Sequence, residues 1–536
     1  MNRKQPLASA IKNTGGIVSM PIEAWVVLCI GFAFRLHAFL ATPVINPDGA
    51  LYIQQAKALC YGAKGQLLAC SSYFSIYPLF IYLSHLLFSD WINAAKVVSL
   101  FFGTLAMLSL FWLAGQFLSK RLAAVCVLAV AISPTYVAGS SSVQRDPVYW
   151  FFASLGILVV ILSLKEERPL WMIVSSISFL LAAWARTEAV VYISGTILFL
   201  LIYRPVKLVN ILYFMLPIVL VVILGAGLLL VNGQMNFRAL GFNRILAKAT
   251  GAISYYHVLR AHLKDLISQW SQTPGGYSMM HFFMRTRNLI WLIALASLVI
   301  QIKRGLFWPA FILFVFGFSS IRKMLRRQRE FAYLLLLGIM GFLALYIQIL
   351  SGWAMESRFI ALLSMPLIVV VGLGASTLSY YFSKRLGWKE LWSLILFWTI
   401  LIGPGLYKEL RAGSDKNTIL RDIGEAIAMI EMGTRPIQVA GSLRRMQLVH
   451  FYANLPYQGA PCFDSSLWLK PHDLKTLSRA IINGLDYFVW NDKFWTEEEL
   501  AQLEQKTQVK FRQVGLWRPP KFGQIRLFKI VRMEHY

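Results

Sequence analysis

The stretch Pro43-Val-Ile-Asn-Pro-Asp-Gly-Ala-Leu-Tyr-Ile-Gln-Gln-Ala-Lys-Ala-Leu-Cys-Tyr-Gly62 follows a long apolar run and breaks its pattern. Asn46 suits a helix N-cap, Pro47 the first helical turn, and Asp48 the positive end of the helix dipole. A helix here puts Asp48, Tyr52, Gln55 and Leu59 on one face, because side chains three and four apart stack on the same side. That face offers a carboxylate, a phenol and an amide just outside a membrane. The structural alternative is that Asp48 only stabilises a helix start.

Working outward, composition fixes the class. Of 536 residues, 57% are hydrophobic and 14% charged. A soluble chain carries nearly twice that charged fraction. The reading is a polytopic α-helical membrane protein with room for a small soluble domain. The net charge of +27 comes from 52 basic against 25 acidic residues. Short basic loops account for much of it, since they orient a membrane protein. Some excess also favours anionic lipid, including lipid-linked phosphates. No nucleic-acid motif appears, so no nucleic-acid partner is expected.

The apolar run at about 22–41 lacks a small-residue cleavage site and reads as an uncleaved first span, with Arg3, Lys4 and Lys12 before it on the cytoplasmic side. Residues 76–89 are apolar, aromatic and short, as an interfacial helix would be. Further spans follow at about 92–117 and 122–138, then a fourth that returns to Lys165-Glu-Glu-Arg-Pro169, then 170–184, 189–203 and 209–231. Residues 232–287 read as an outer loop with short helices. Segments 288–302 and 305–319 are each short for a span, so one lies in-plane or the two form a broken helix. Spans at about 331–350, 359–378 and 391–407 complete a count of about 11. This puts the loops holding Asp48, Asp146, Glu188 and Arg358 on one side.

From residue 408 the composition turns soluble. Helical pattern at Asn417–Met432, strand-like runs at Pro436–Ala440, Leu485–Trp490 and Gln524–Val531, and a Thr496/Glu499 capping box predict an extracytoplasmic α/β domain over 408–536. The transmembrane domain is then 1–407. The tail has no Gly-rich phosphate loop and reads as a lid or acceptor-docking module. Cys60 and Cys70 share a loop where a disulfide would persist.

Charges at membrane depth are costly and face a protein interior or a wet cavity. One predicted rim collects Arg35, Asp48, Arg145, Asp146, Arg186, Glu188, Glu356 and Arg358. Carboxylates with several guanidiniums suit displacement of a phosphate held by arginine while a carboxylate deprotonates the attacking hydroxyl. Each residue also has a structural alternative. Arg145 pairs with Asp146, Arg186 and Glu188 anchor a turn, Glu356 pairs with Arg358, and Arg35 snorkels to head groups. His37 and His85 have no partner at metal-ligand spacing, and no HExxH or CxxC occurs.

The order of these features resembles the GT-C glycosyltransferases, nearest to the protein O-mannosyltransferase and lipid A aminoarabinose transferase type. The resemblance rests on Arg35 near the end of the first span, Pro47-Asp48 before a Tyr-containing helix, and Tyr77-Pro78 opening an interfacial helix. Ile132-Ser-Pro134, the Ala185-Arg-Thr-Glu188 turn and Ser357-Arg-Phe359 with Pro366 extend it over about residues 22–378. It implies a polyprenyl-phosphate-linked sugar donor and an extracytoplasmic acceptor: a lipid, a lipid-linked glycan or a protein. It implies a multi-pass protein of the bacterial inner membrane, with its active site and tail on the periplasmic side. Under it Asp48 is the catalytic base and Asp146 the second acid. Arg358, with Arg186, Arg145 and Arg35 as further candidates, holds the donor phosphate; Tyr52, Gln55, Glu188 and Glu356 line the substrate. Many members follow the first acid with a second, whereas Gly49 stands here. Transfer without a cofactor is therefore expected, a divalent metal being the alternative. Rival readings are a lipid-linked sugar flippase or a polysaccharide assembly component without bond chemistry.

Overall fold

The computed structural model describes residues 20–68, 73–203, 208–231, 242–273, 275–410, 417–519 and 523–532. The basic residues at 3, 4, 12, 204 and 207 lie outside them. In chain order the helices are α1 (Ile22–Ala41), α2 (Pro47–Cys60), α3 (Ile76–His85), α4 (Trp91–Gly115), α5 (Lys120–Ala131), α6 (Pro134–Ser141) and α7 (Asp146–Glu166). Then come α8 (Trp171–Ala185), α9 (Val190–Ile202), α10 (Leu208–Val231), α11 (Phe242–Ser271), α12 (Tyr277–Leu306), α13 (Trp308–Arg327), α14 (Phe331–Gly352), α15 (Ala361–Leu386) and α16 (Glu390–Leu410). The tail adds α17 (Thr418–Glu431), β1 (Val439–Gly441), α18 (Met446–Ala453), α19 (Leu474–Ile482), β2 (Tyr487–Asn491), α20 (Glu497–Thr507), β3 (Val509–Trp517) and β4 (Ile525–Arg532).

The protein is a multi-pass membrane protein. Among the described residues, nine helices are long and apolar enough to cross a bilayer, or ten if the bent α5–α6 pair is one span. The bend is 63°. Pro134 causes it, because proline removes one backbone donor and crowds the preceding turn. The 170–184 and 189–203 segments form shorter apolar helices. Two expectations are corrected. Residues 232–287 do not read as a loop where they are described: α11 runs for 30 residues, and α12 begins at Tyr277. Segments 288–302 and 305–319 are parts of α12 and α13, each of full spanning length, joined at Phe307 with φ 68°. Polar residues at the ends of both helices hid their length.

Contacts divide the chain into two compact units. The first comprises Met1–Phe39, Ser99–Ser141 and Arg145–Ala412. Helices α13 and α15 touch backbone to backbone in it: a Cβ on Gly374 would overlap the Leu313 carbonyl, and one on Gly317 the Val370 carbonyl. Such small-residue contacts substitute for the hydrophobic drive that lipid does not supply.

The second unit comprises Leu40–Val98, Ser142–Gln144 and Gly413–Tyr536. The tail thus shares its unit with α2 and α3, and the 407/408 boundary does not separate them. Its sheet has the order β1-β2-β4-β3, with β1 and β2 parallel and the other pairs antiparallel. Phe488, Trp490, Trp495, Leu477, Ile481 and Leu503 form its core. The Thr496/Glu499 capping box is formed at α20. Cys60 is a free, exposed thiol, so it does not bond Cys70, which lies outside the described residues. Cys462 is disulfide-bonded.

Candidate active site

Asp146 opens α7, with Pro147 in the first turn. A carboxylate is favoured at that helix end, yet Asp146 is buried and so needs partners. Two arginines distant in sequence supply them. Helix α8 stops at Ala185, and Arg186 turns to an extended backbone, φ −145°, ψ 124°. Its Nη1 donates to Asp146 Oδ1, and its Nε donates to Glu188 Oε2 at 3.3 Å. Arg358 lies in the short 3-10 turn Ser357–Ile360 that leads into α15. Its Nη1 donates to Asp146 Oδ2 at 3.5 Å, and its Nε lies 2.7 Å from Glu356 Oε2.

The ring of Phe359 underlies both guanidiniums, 4.3 Å from Arg186 and 5.9 Å from Arg358. Planar guanidiniums stack well on such a face. Tyr192 fixes the start of α15 by donating to Leu362 O at 2.9 Å, and Thr135 Oγ1 donates to Ser357 Oγ at 3.2 Å. Tyr149, one turn beyond Asp146, stacks on Tyr192 at 6.3 Å. Five of the charged residues read from the sequence therefore form one cluster: Asp146, Arg186, Glu188, Glu356 and Arg358.

Exposure grades the cluster. The Asp146 and Arg186 side chains are 2% and 4% exposed, Arg358 is 18% and Glu356 is 67%. Asp146 and Arg186 satisfy each other inside the protein, whereas Arg358 and Glu356 reach its surface. Arg145 takes the N-cap position of α7 without a side-chain cap bond.

Arg35 takes part in none of the ion pairs found among the described residues of this cluster. It is buried in α1 and donates to Gly31 O and Ala131 O at 2.9 Å and to Val130 O at 3.5 Å. A guanidinium without a carboxylate spends its donors on the open carbonyls at the end of α5.

In the second unit Asp48 is exposed in the first turn of α2. Gly49 N donates to the Asn46 cap at 2.6 Å, as the Asn-Pro-Asp pattern predicts. A Cβ on Gly49 would lie 2.8 Å from Val143 Cβ, which explains why no second acid follows Asp48. Tyr52 and Gln55 are not presented to solvent with Asp48, and this corrects the expected polar face. Tyr52 packs edge-on against Tyr77 at 5.5 Å. Gln55 is buried and donates to Leu67 O and Tyr73 O at 3.0 and 3.1 Å. His85 stacks on Trp91 at 3.6 Å. Among the described residues no three His, Cys, Asp or Glu side chains gather as a metal site requires.

Residues 76–228 match the family model described as dolichyl-phosphate-mannose-protein mannosyltransferase. The solved ArnT of Cupriavidus metallidurans bound to undecaprenyl phosphate superposes with a TM-score of 0.54, covering 95% of this chain and 97% of that one at 11% identity. The chain has the GT-C architecture. The Archaeoglobus fulgidus oligosaccharyltransferase, in complex with zinc and sulfate, gives a TM-score of 0.53 at 12% identity, over 95% of this chain and 73% of the archaeal chain. The same archaeal enzyme tethered to an acceptor peptide gives 0.51 at 13% identity, over 95% and 74%. No curated protein sequence matches. At these identities the likeness carries the GT-C fold, and the roles of individual side chains rest on the geometry above.

Proposed function

We propose that the protein transfers a sugar from a polyprenyl-phosphate-linked donor to an extracytoplasmic hydroxyl on a lipid, a glycan or a protein. The observation that carries this reading is the Asp146–Arg186–Arg358 cluster, whose outer guanidinium, Arg358, reaches the protein surface. Phosphate recognition needs a charge-stable fork of donors, and arginine provides it. Relatives by family model and by fold act on or bind polyprenyl phosphates, as their descriptions state.

In this reading Arg358 holds the donor phosphate and stabilises it as it leaves. Asp146 is a positioning residue, since its carboxylate aligns both guanidiniums. Arg186 neutralises Asp146 and Glu188 from within and does not itself reach the donor. Asp48 takes the proton from the attacking hydroxyl while the sugar–phosphate bond breaks; the phosphate departs on the lipid, and the sugar is bonded to the acceptor oxygen. Exposure of Asp48 at a capped helix start supports that role. The disulfide at Cys462 supports an oxidising, periplasmic setting for the second unit in a bacterial inner membrane. Transfer proceeds on these residues without a cofactor.

The test is release of undecaprenyl phosphate from an undecaprenyl-phosphate sugar by the purified protein, with a cell-envelope extract as acceptor. Product and lipid phosphate appearing in equal amounts support the reading. Donor movement across liposomes with no product contradicts it.

A further inference from the structure

The helix that carries Asp48 is fastened to the C-terminal segment at three points, all within the second unit. At its approach, Ile45 N donates to the Tyr452 hydroxyl at 3.1 Å, next to the Asn46 cap. At its middle, Gln54 Nε2 donates to Pro461 O at 2.7 Å, one residue before the disulfide-bonded Cys462. One turn on, Lys57 Nζ donates to Asn454 O at 3.1 Å and Leu455 O at 2.9 Å. The partners sit some four hundred residues away along the chain, with sequence separations of 397 to 407.

Lys57 is the informative contact. It is 2% exposed, and its ammonium meets backbone carbonyls rather than a carboxylate. Burial lowers it to about 8. A lysine in such a place is expensive, because its charge has left water with no opposite charge in return. A leucine there would pack as well and leave α2 free to slide. The donors instead fix α2 in rotation and in height. The receiving turn is itself braced: Asn454 Nδ2 donates to Ile437 O at 3.0 Å and to His450 O at 2.9 Å, and Ile437 N donates to Asn454 Oδ1 at 2.8 Å. Ile437 leads directly into β1.

We propose that the C-terminal α/β segment is a positioning element for Asp48, with Lys57, Gln54 and Tyr452 as positioning residues, rather than a lid or docking module. The sheet holds the 454–461 turn, the turn holds α2, and α2 aims the carboxylate. This rests on the assignment of Asp48 as the base.

The test compares Tyr452→Phe and Lys57→Met with Asp48→Asn and the wild type in the full-length protein. Tyr452→Phe keeps the ring and removes one hydroxyl, so it is the gentler probe. Small misplacements of a reacting group cost about 10- to 100-fold in rate. The expected result is kcat down by about 10-fold or more in both variants, with undecaprenyl phosphate affinity and donor KM within about twofold of wild type. Hydrogen exchange in α2 should quicken while that in β2 and β4 is unchanged. A wild-type kcat in Tyr452→Phe and Lys57→Met, alongside an inactive Asp48→Asn, overturns the positioning role alone. Turnover retained in Asp48→Asn overturns the assignment beneath it. Equal losses of kcat and lipid affinity in Tyr452→Phe and Lys57→Met overturn the positioning role, since general unfolding explains them.

Discussion

The Arg186 guanidinium donates to the Asp146 carboxylate from forty positions further along the chain, and both side chains are almost wholly buried. Removing one member of a buried pair strands the other charge, at about 3–5 kcal/mol. Asp146→Ala should therefore lower stability by about 3 kcal/mol. Adding Arg186→Met should recover part of that loss. A double-mutant cycle on thermal unfolding in detergent reads the coupling, and strictly additive losses would count against the pair.

Arg35 offers a contrasting case. Its donors bond the carbonyls of Gly31, Ala131 and Val130 rather than a phosphate. Arg35→Met should cost about 1–3 kcal/mol of stability through the carbonyls it leaves open. The folded fraction should bind undecaprenyl phosphate as the wild type does. A tenfold loss of affinity with an unchanged melting temperature would return Arg35 to the phosphate site.

Glu356 sits on the outer side of Arg358, 2.7 Å from its Nε and largely exposed. A carboxylate there repels an arriving phosphate. Exposed pairs are weak, about 0.2–1 kcal/mol. Glu356→Gln should accordingly tighten undecaprenyl phosphate binding by about two- to fivefold. Titration of the purified variant with that lipid checks it, and weaker binding would make Glu356 a ligand instead of a competitor.

His450 is buried in α18 against Phe463, and burial pulls its pKa down to about 4. The unfolded chain holds its proton up to about 6.5. Between those values the unfolded state binds more protons, so stability is complete above about pH 6.5 and falls as the pH drops toward 4. The share from this residue is about 3 kcal/mol. His450→Phe should flatten that part of the pH profile in calorimetry of the full chain. A profile as steep as that of the wild type would place the titration elsewhere.

Much of the fold was legible because its signals are local. Apolar length and the Asn46-Pro-Asp48 cap each act within a few residues, and each is found in the structure. The capping box at Thr496 and three of the four strands were legible for the same reason. Strand β3 was not: a bulge between Gln513 and Gly515 interrupts its alternation. Helix α11 was missed because its polar and basic residues resemble a loop. At the site, residue types and predicted depth were enough to name Asp146, Arg186, Glu188, Glu356 and Arg358. That Asp146 meets Arg186 and Arg358 depends on packing over 40 and 212 positions, and no local pattern encodes it. The same holds for Gln55, whose amide bonds the carbonyls of Leu67 and Tyr73, and for Lys57, whose partners lie about four hundred positions further along. The Phe359 platform stood inside a recognised segment, but its service to two arginines is visible only in three dimensions.

The central claim is bond chemistry driven by a carboxylate at the start of α2. Its most direct test is turnover of an undecaprenyl-phosphate sugar by purified wild type and Asp48→Asn, with lipid binding measured on the same samples. The account predicts equal binding of undecaprenyl phosphate and a loss of transfer of at least about a thousandfold in the variant, within the range that base catalysis supplies. Transfer by Asp48→Asn at a rate near that of the wild type would contradict it.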